Sequence, residues 1–288
     1  MCAKDWEAIQ FDKLPSLASA RYQKAFTKNA PDAYAVYKAG LEKGTTTINA
    51  GAVYPYDITK SLRFGDSAVA DAQWKAQPDY IQGSTERMIV VADVSGSMTC
   101  SAGGNANLTC MEVCISLAMY IAERGKGPFQ NAFLTFSSSP SLQVMKGKTL
   151  GQRYNELARA DWGMSTDLTK TFNVLLETAV RNKVEESDMP TMILILSDMQ
   201  FNQCARWDGT ALQSIQRRYE AAGYKVPKLV FWNLNAKPGT NPATIRDDGV
   251  ALVSGFSPAI MTSLLNGKDF SPEGMMLETV RKPRYDWQ

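Results

Sequence analysis

Five side chains of this chain could act together through hard oxygen atoms. Asp93, Ser95 and Ser97 stand close in the run Asp93-Val94-Ser95-Gly96-Ser97. Thr166 closes the loop Gly163-Met164-Ser165-Thr166 and is followed by Asp167, and Asp198 follows Ser197 after an apolar run. Carboxylate and hydroxyl oxygens suit Mg2+, Mn2+ or Ca2+ better than softer metals. Asp93 and Asp198 would supply at most two negative charges, and the three hydroxyls are neutral, so a bound ion would stay electrophilic. Gly96 is expected to let the backbone turn tightly, so that Ser95 and Ser97 face one point. Each piece also has a plainer reading. Asp93 to Ser97 suits an ordinary strand-to-helix turn, Thr166 a helix N-cap with Asp167 at the positive helix end, and Asp198 a polar strand terminus.

Composition narrows the alternatives. The chain of 288 residues contains no histidine. That excludes Ser-His-Asp and Cys-His catalysis and any imidazole-ligated zinc, copper or haem. A net charge of +2 gives no case for bulk binding to nucleic acid or membrane. No apolar run approaches the ~18 residues of a membrane span, and the first residues do not read as a signal or transit peptide. A cytoplasmic protein is expected. Cysteines stand at 2, 100, 110, 114 and 204, an odd count without a CxxC pair. Reduced, mostly buried thiols are the expected state, and a thiol or zinc cluster of Cys100, Cys110, Cys114 and Cys204 is the sharper alternative.

Elements able to position the oxygen donors can be read from periodicity. From residue 87 onward, strand and helix patterns alternate. Met88–Val94 and Met192–Leu196 are continuous apolar runs of the kind found in strands covered on both faces. Ala132–Phe136, Lys228–Leu234 and Val250–Val253 read as further strands, and Leu142 with Val144 as an edge hairpin strand. Helical spacing joins Cys110, Cys114, Leu117, Ala118 and Ile121, then Leu168, Phe172, Leu175, Leu176, Ala179 and Val180, then Leu212, Ile215, Tyr219 and Ala222. Ser257-Pro258 and Ser271-Pro272 are expected to open two closing helices. The expected fold class is α/β, a doubly wound, mainly parallel sheet in residues 87–288. Its ligands would bind beyond the carboxyl ends of the strands, where Asp93 and Asp198 lie. Residues 1–86 read as a helical and irregular extension. One helix is expected through Leu14, Leu17, Ala18, Tyr22, Ala25 and Phe26, a second from Pro31 to near Gly44, and residues 45–86 as irregular.

The donor pattern resembles the von Willebrand factor A (integrin I-like) domain. That domain's metal-ion-dependent adhesion site carries Asp-x-Ser-x-Ser, then a loop Thr, then an Asp after the fourth strand. Asp93, Ser95 and Ser97 match the first element, Thr166 the second and Asp198 the third. The resemblance implies strand order 3-2-1-4-5-6, with strands one and four adjacent, and covers about residues 87–265. It also implies a Mg2+ (or Mn2+ or Ca2+) cofactor, with one coordination position left to water or to a partner's carboxylate.

The segments Leu14–Tyr22, Ile48–Pro55, Ile195–Phe201, Val230–Leu234 and Leu252–Pro258 look like uncharacterised relatives of the Ro/TROVE ribonucleoproteins. Members of that group occur in cells and in viruses, bacteriophages included, which would place a viral protein in host cytoplasm. Ro proteins bind RNA through a ring of helical repeats, and this chain is too short to hold one. The basic positions Arg217, Arg218, Arg281, Lys282 and Arg284 read as solvated surface, and Trp232 and Phe256 as core.

The function expected is a binding module that captures an acidic group of a protein partner through the metal. A Ro-like RNA-associated protein is the alternative. An enzyme ranks below both: Asp161 and Asp167 are the only evident bases, and no Walker A motif or GxSxG elbow is present. Since the donors include no imidazole, metal occupancy measured by equilibrium dialysis is expected to change little between about pH 6 and 8. A steep loss of metal across that window would mean that other ligands hold it.

Overall fold

The structure is a computed structural model. It describes residues 5–63, 67–82, 84–135, 139–160, 168–199, 209–235, 250–256, 260, 276–277 and 280–281. The chain packs as two units. One comprises residues 1–79, 115–120 and 145–160, and the other residues 80–114, 121–144 and 161–288.

The first unit is helical. It holds α1 (Ser16–Arg21), α2 (Gln23–Asn29), α3 (Pro31–Lys43), α4 (Pro55–Ser61), α5 (Ser67–Ala76) and α7 (Leu150–Ala158). Phe11, Phe26, Tyr34, Tyr37 and Val69 form its core. Phe11 lies 5.3 Å from Phe26 and 5.1 Å from Tyr34 between ring centroids, within the range of favourable aromatic pairing. As expected, α3 opens on Pro31 and ends at Gly44, whose φ of +71° suits a residue without a Cβ. Two expectations need correction. The spacing through Leu14–Phe26 is not one helix, because the chain breaks at Tyr22 between α1 and α2. Residues 45–86 are not irregular throughout, because α4 and α5 lie there. Pro55 at the first position of α4, with the Asp57 carboxylate accepting the Tyr54 N–H at 3.3 Å, is a helix start with a physical signature.

The second unit is built on a six-stranded sheet. Its strands are β1 (Met88–Ala92), β4 (Ala132–Thr135), β5 (Leu142–Val144), β6 (Met192–Ser197), β7 (Lys228–Asn233) and β8 (Val250–Ser254). Their spatial order is β5-β4-β1-β6-β7-β8. All neighbours are parallel except β4 and β5. This is the expected α/β sheet with the expected strand order. β1 and β6 are buried along their whole length, as their uninterrupted apolar sequence requires. On one face, Phe172, Leu175, Leu176 and Ala179 of α8 (Leu168–Arg181) and Ile215 and Tyr219 of α9 (Gly209–Ala221) join Ile89, Val91, Ile193 and Ile195 in one core. Val180, assigned to that face by its spacing, is exposed. The regions of the two expected closing helices, at Ser257-Pro258 and Ser271-Pro272, lie outside the described residues.

A small hairpin, β2 (Ser101–Ala102) and β3 (Asn105–Thr109), separates β1 from α6 (Cys110–Arg124). The Thr109 hydroxyl accepts the Glu112 N–H at 3.2 Å, and the Glu112 carboxylate accepts the Thr109 N–H at 2.8 Å. This reciprocal cap fixes where α6 begins.

At the amino ends of the strands, Glu86 links three of them. Its carboxylate accepts from Lys228 Nζ at 2.7 Å and from Thr191 Oγ1 at 2.5 Å. Burial works against its charged form, but the Lys228 and Thr191 hydrogen bonds outweigh it and hold the carboxyl below the usual value of 4.5. A lowered folded pKa contributes stability above the unfolded value, and this is lost as pH falls through the folded one. Glu86→Gln is therefore expected to cost up to about 1 kcal/mol at pH 7 and nothing near pH 3, read from urea unfolding at both.

Candidate metal centre

The site forms where two buried strands end side by side. β1 and β6 pair in parallel up to Ala92↔Leu196. One step further, the Asp93 N–H donates to Leu196 O at 3.0 Å. That bond carries the ladder to Asp93 and sets its carboxylate beside Ser197. The Ser197 hydroxyl donates to Asp93 Oδ2 at 2.6 Å and accepts the Met199 N–H at 3.1 Å. Met199 has a φ of +61°, the left-handed region that costs a non-glycine residue roughly 1 kcal/mol. The backbone bends there directly after Asp198. The Asp198 N–H donates to the thioether of Met98, which is fully buried.

After Asp93 the chain enters a 3-10 turn over Gly96–Thr99. The Ser95 N–H donates to Asp93 Oδ1 at 3.0 Å. The Ser95 and Ser97 hydroxyl oxygens lie 3.0 Å apart. Two oxygens at right angles about an Mg2+ ion, each about 2.1 Å from it, would also lie about 3.0 Å apart. The role expected for Gly96 is not what places them. Gly96 does not have a positive φ, and a Cβ built on it meets nothing within 4 Å.

Asp93 is 5% exposed and Asp198 is 2% exposed, whereas Ser95 and Ser97 are half-buried. The cluster therefore has buried carboxylates and half-buried hydroxyls. Burial pushes the Asp93 carboxyl above its ordinary range, hydrogen bonds from Ser197 and Ser95 oppose this, and the nearby Asp198 carboxylate adds to it. Protons thus compete for this carboxylate at higher pH than the reference value near 4 suggests. A buried carboxylate held by neutral donors and facing a second carboxylate gains from a cation. The donor set, all oxygen, fits a hard divalent ion.

Four of the five residues named from sequence, Asp93, Ser95, Ser97 and Asp198, stand at this strand-end cluster. Thr166 lies outside the described residues, as do Asp161 and Asp167. Among the described residues, no group of three or more Cys, Asp or Glu side chains is placed to hold a metal ion. The alternative thiol or zinc cluster is therefore not formed by Cys100, Cys110 and Cys114, which are free thiols, and Cys204 lies outside the described residues. A cation here would depend on two carboxylates with hydroxyl help.

Sequence reasoning gave Ser197 no role and placed Cys100 only in the alternative thiol or zinc cluster, not beside Asp198. The Cys100 sulfur lies 3.9 Å from Asp198 Oδ2 and 3.5 Å from Cys110 Sγ, and its single proton can be donated to either. Cys114 donates to Leu196 O at 3.5 Å. Burial pushes the Cys110 and Cys114 thiols well up. The signal for Ser197 was its place one step beyond the last β1–β6 pair. Trp232 is fully buried, with its indole N–H donating to Gly255 O, as a core residue should be. Phe256 is half-buried, and its ring lies so close to Gly103 that a Cβ there would come within 3.0 Å of it. Of the basic positions, Arg218 sits 3.6 Å from Glu177, and Lys282 and Arg284 lie outside the described residues.

A family described as a domain of unknown function (DUF7788) matches residues 87–285. The chain belongs to this family. A second domain of unknown function (DUF2828) matches residues 1–89, so the DUF7788 region follows directly on it. An uncharacterised protein, L728, of Acanthamoeba polyphaga mimivirus is 30% identical over 302 residues. That alignment covers 97% of this chain and 51% of the viral protein, so the chain spans about half the length of this relative. Among solved structures, the Ro (RSR) protein of Deinococcus radiodurans aligns with 92% of this chain and 62% of its own, at 17% identity and a TM-score of 0.46. Among the described residues, no helix is long and apolar enough to cross a membrane.

Ser197→Ala should leave Asp93 Oδ2 buried without its 2.6 Å donor. It is expected to cost about 1–3 kcal/mol in denaturant unfolding. A loss within 0.3 kcal/mol of zero would mean that this hydrogen bond does not hold the site together.

Proposed function

We propose that this protein is a divalent-metal-dependent binding module of the von Willebrand factor A kind. The observation that carries the reading is the strand-end cluster, with Asp93 and Asp198 buried and the half-buried Ser95 and Ser97 hydroxyls 3.0 Å apart. Asp93, Ser95, Ser97 and Asp198 would hold Mg2+, Mn2+ or Ca2+, and Thr166 is proposed to join them. The ion, when bound, supplies an electrophilic coordination position for the carboxylate of a protein partner. The chain's own residues supply the rest. Asp93 and Asp198 balance part of the ion's charge, and Ser197 holds Asp93 in place. The half-buried hydroxyls give a partner's side chain access.

Binding rather than catalysis is proposed, because the described cluster offers no base beyond the carboxylates assigned to the ion. The alternative is a Ro-like RNA-associated protein, which would act in the cytoplasm just as well. RNA is not favoured, since Arg218 lies beside Glu177 and the net charge is only +2. The two readings separate in one pair of measurements on the full chain. Partner capture should be abolished by EDTA, restored by excess Mg2+, and lost in Asp93→Ala. Structured RNA should give no gel shift at low salt. Capture that survives both EDTA and Asp93→Ala would overturn the metal reading. A salt-dependent RNA shift indifferent to EDTA would favour the alternative.

A further inference from the structure

We propose that Cys100 and Cys110 are a modification site, a dithiol pair that closes to a reversible disulfide beside Asp198. The pairing is set by backbone register. Ser101 lies opposite Thr109 in the β2–β3 hairpin. Cys100 and Cys110 continue that register by one step, and the Cys110 N–H donates to Cys100 O at 3.0 Å. Directly opposed residues of an antiparallel pair carry Cβ atoms about 4.5–5.5 Å apart, close to the Cβ separation of about 3.5–4.5 Å in disulfides. The two sulfurs are already 3.5 Å apart. Closing to a covalent bond of about 2.05 Å needs side-chain rotation and a small backbone adjustment.

The two thiols differ in access. Cys110 is fully buried at the start of α6, whereas Cys100 is half-buried. Cys100 is therefore the sulfur that meets a small oxidant. With a peroxide as oxidant, the Cys100 sulfur attacks one peroxide oxygen, the O–O bond breaks, and water leaves, giving a sulfenic acid. The Cys110 sulfur then displaces the sulfenic oxygen as a second water, and the S–S bond forms. Overall, two thiols and one hydrogen peroxide give one disulfide and two waters. A dithiol reductant reverses the change by exchange.

The consequence for Asp198 rests on the metal reading above. In the reduced chain the Cys100 S–H is within reach of Asp198 Oδ2, which lies 3.9 Å from the sulfur. The disulfide has no S–H, so this competing donor to Asp198 Oδ2 is removed.

The test treats the full chain with a small excess of hydrogen peroxide, alkylates remaining thiols, and maps peptides without reduction. Cleavage after Leu108 separates the two cysteines, so the expected linkage joins two peptides until dithiothreitol releases them. Cys114→Ala should retain the link. Cys110→Ser should lose it and leave Cys100 as sulfenic or sulfinic acid. Cys100 oxidised beyond sulfenic acid in the wild type with Cys110 still alkylatable, or a link to Cys2, Cys114 or Cys204 instead, would overturn the proposal. A Mn2+ titration followed by thermal shift then reads the coupling. The oxidised chain should reach its midpoint at a Mn2+ concentration at least threefold lower than the reduced chain. Equal midpoints would overturn the coupling and leave the disulfide standing. No Mn2+ response in either state would overturn both the coupling and the metal reading.

Discussion

Asp93 owes its position to a single backbone hydrogen bond beyond the end of a strand pair. Its N–H donates to Leu196 O, one step past the register Ala92↔Leu196. The bond forms because the buried apolar runs Met88–Ala92 and Met192–Leu196 stay paired along their whole length. A shift of one residue in that register would turn every side chain of β1 to the opposite face. Asp93 would then lose the Ser197 hydroxyl, and the buried apolar positions of the strand would be exchanged with it. The burial of Ile89, Val91, Ile193 and Ile195 in a common core therefore also fixes the carboxylates. Packing and chemistry share one constraint.

The same constraint brings carboxylates together at the end of the sheet where the order of connections reverses. From β1 the chain passes through α6 to β4 and β5 on one side, then returns to β6 on the other. The β1–β6 pair is thus the point where the strand order reverses, the place where open sheets of this kind bind their ligands. Several local features gather at this point. Asp93 is raised by burial and by Asp198, Met199 takes a left-handed backbone, and the thioether of Met98 stands in as acceptor for a backbone N–H. Each is unfavourable alone, and unfavourable features tend to collect where a fold serves a ligand.

The sheet, and the placing of Asp93, Ser95, Ser97 and Asp198 at its strand ends, could be read from the sequence, for definite reasons. Met88–Ala92 and Met192–Leu196 have the apolar continuity that only a doubly covered strand needs, and polar residues follow at their carboxyl ends. What escaped was whatever depends on register or on weak patterning. Ser197 carried no role in the sequence, and its role appears only when it is set beside Asp93. The β2–β3 hairpin was hidden because Asn105-Ala106-Asn107 shows no apolar alternation, although Gly103-Gly104, both at positive φ, is a turn signal. With the hairpin went the facing of Cys100 and Cys110. Helices α4 and α5 were obscured by scattered aromatics and by short length. Gly96 was given a role that its backbone does not need.

The central claim is that the Asp93–Asp198 end of the sheet binds one hard divalent cation. Isothermal titration of the metal-free full chain with Mg2+ and Mn2+, beside Asp93→Asn as a variant that keeps the shape and removes the charge, tests it most directly. The account predicts a single saturable site in the wild type and none in Asp93→Asn. Equal heats in the two proteins, or no saturable heat in either, would contradict it.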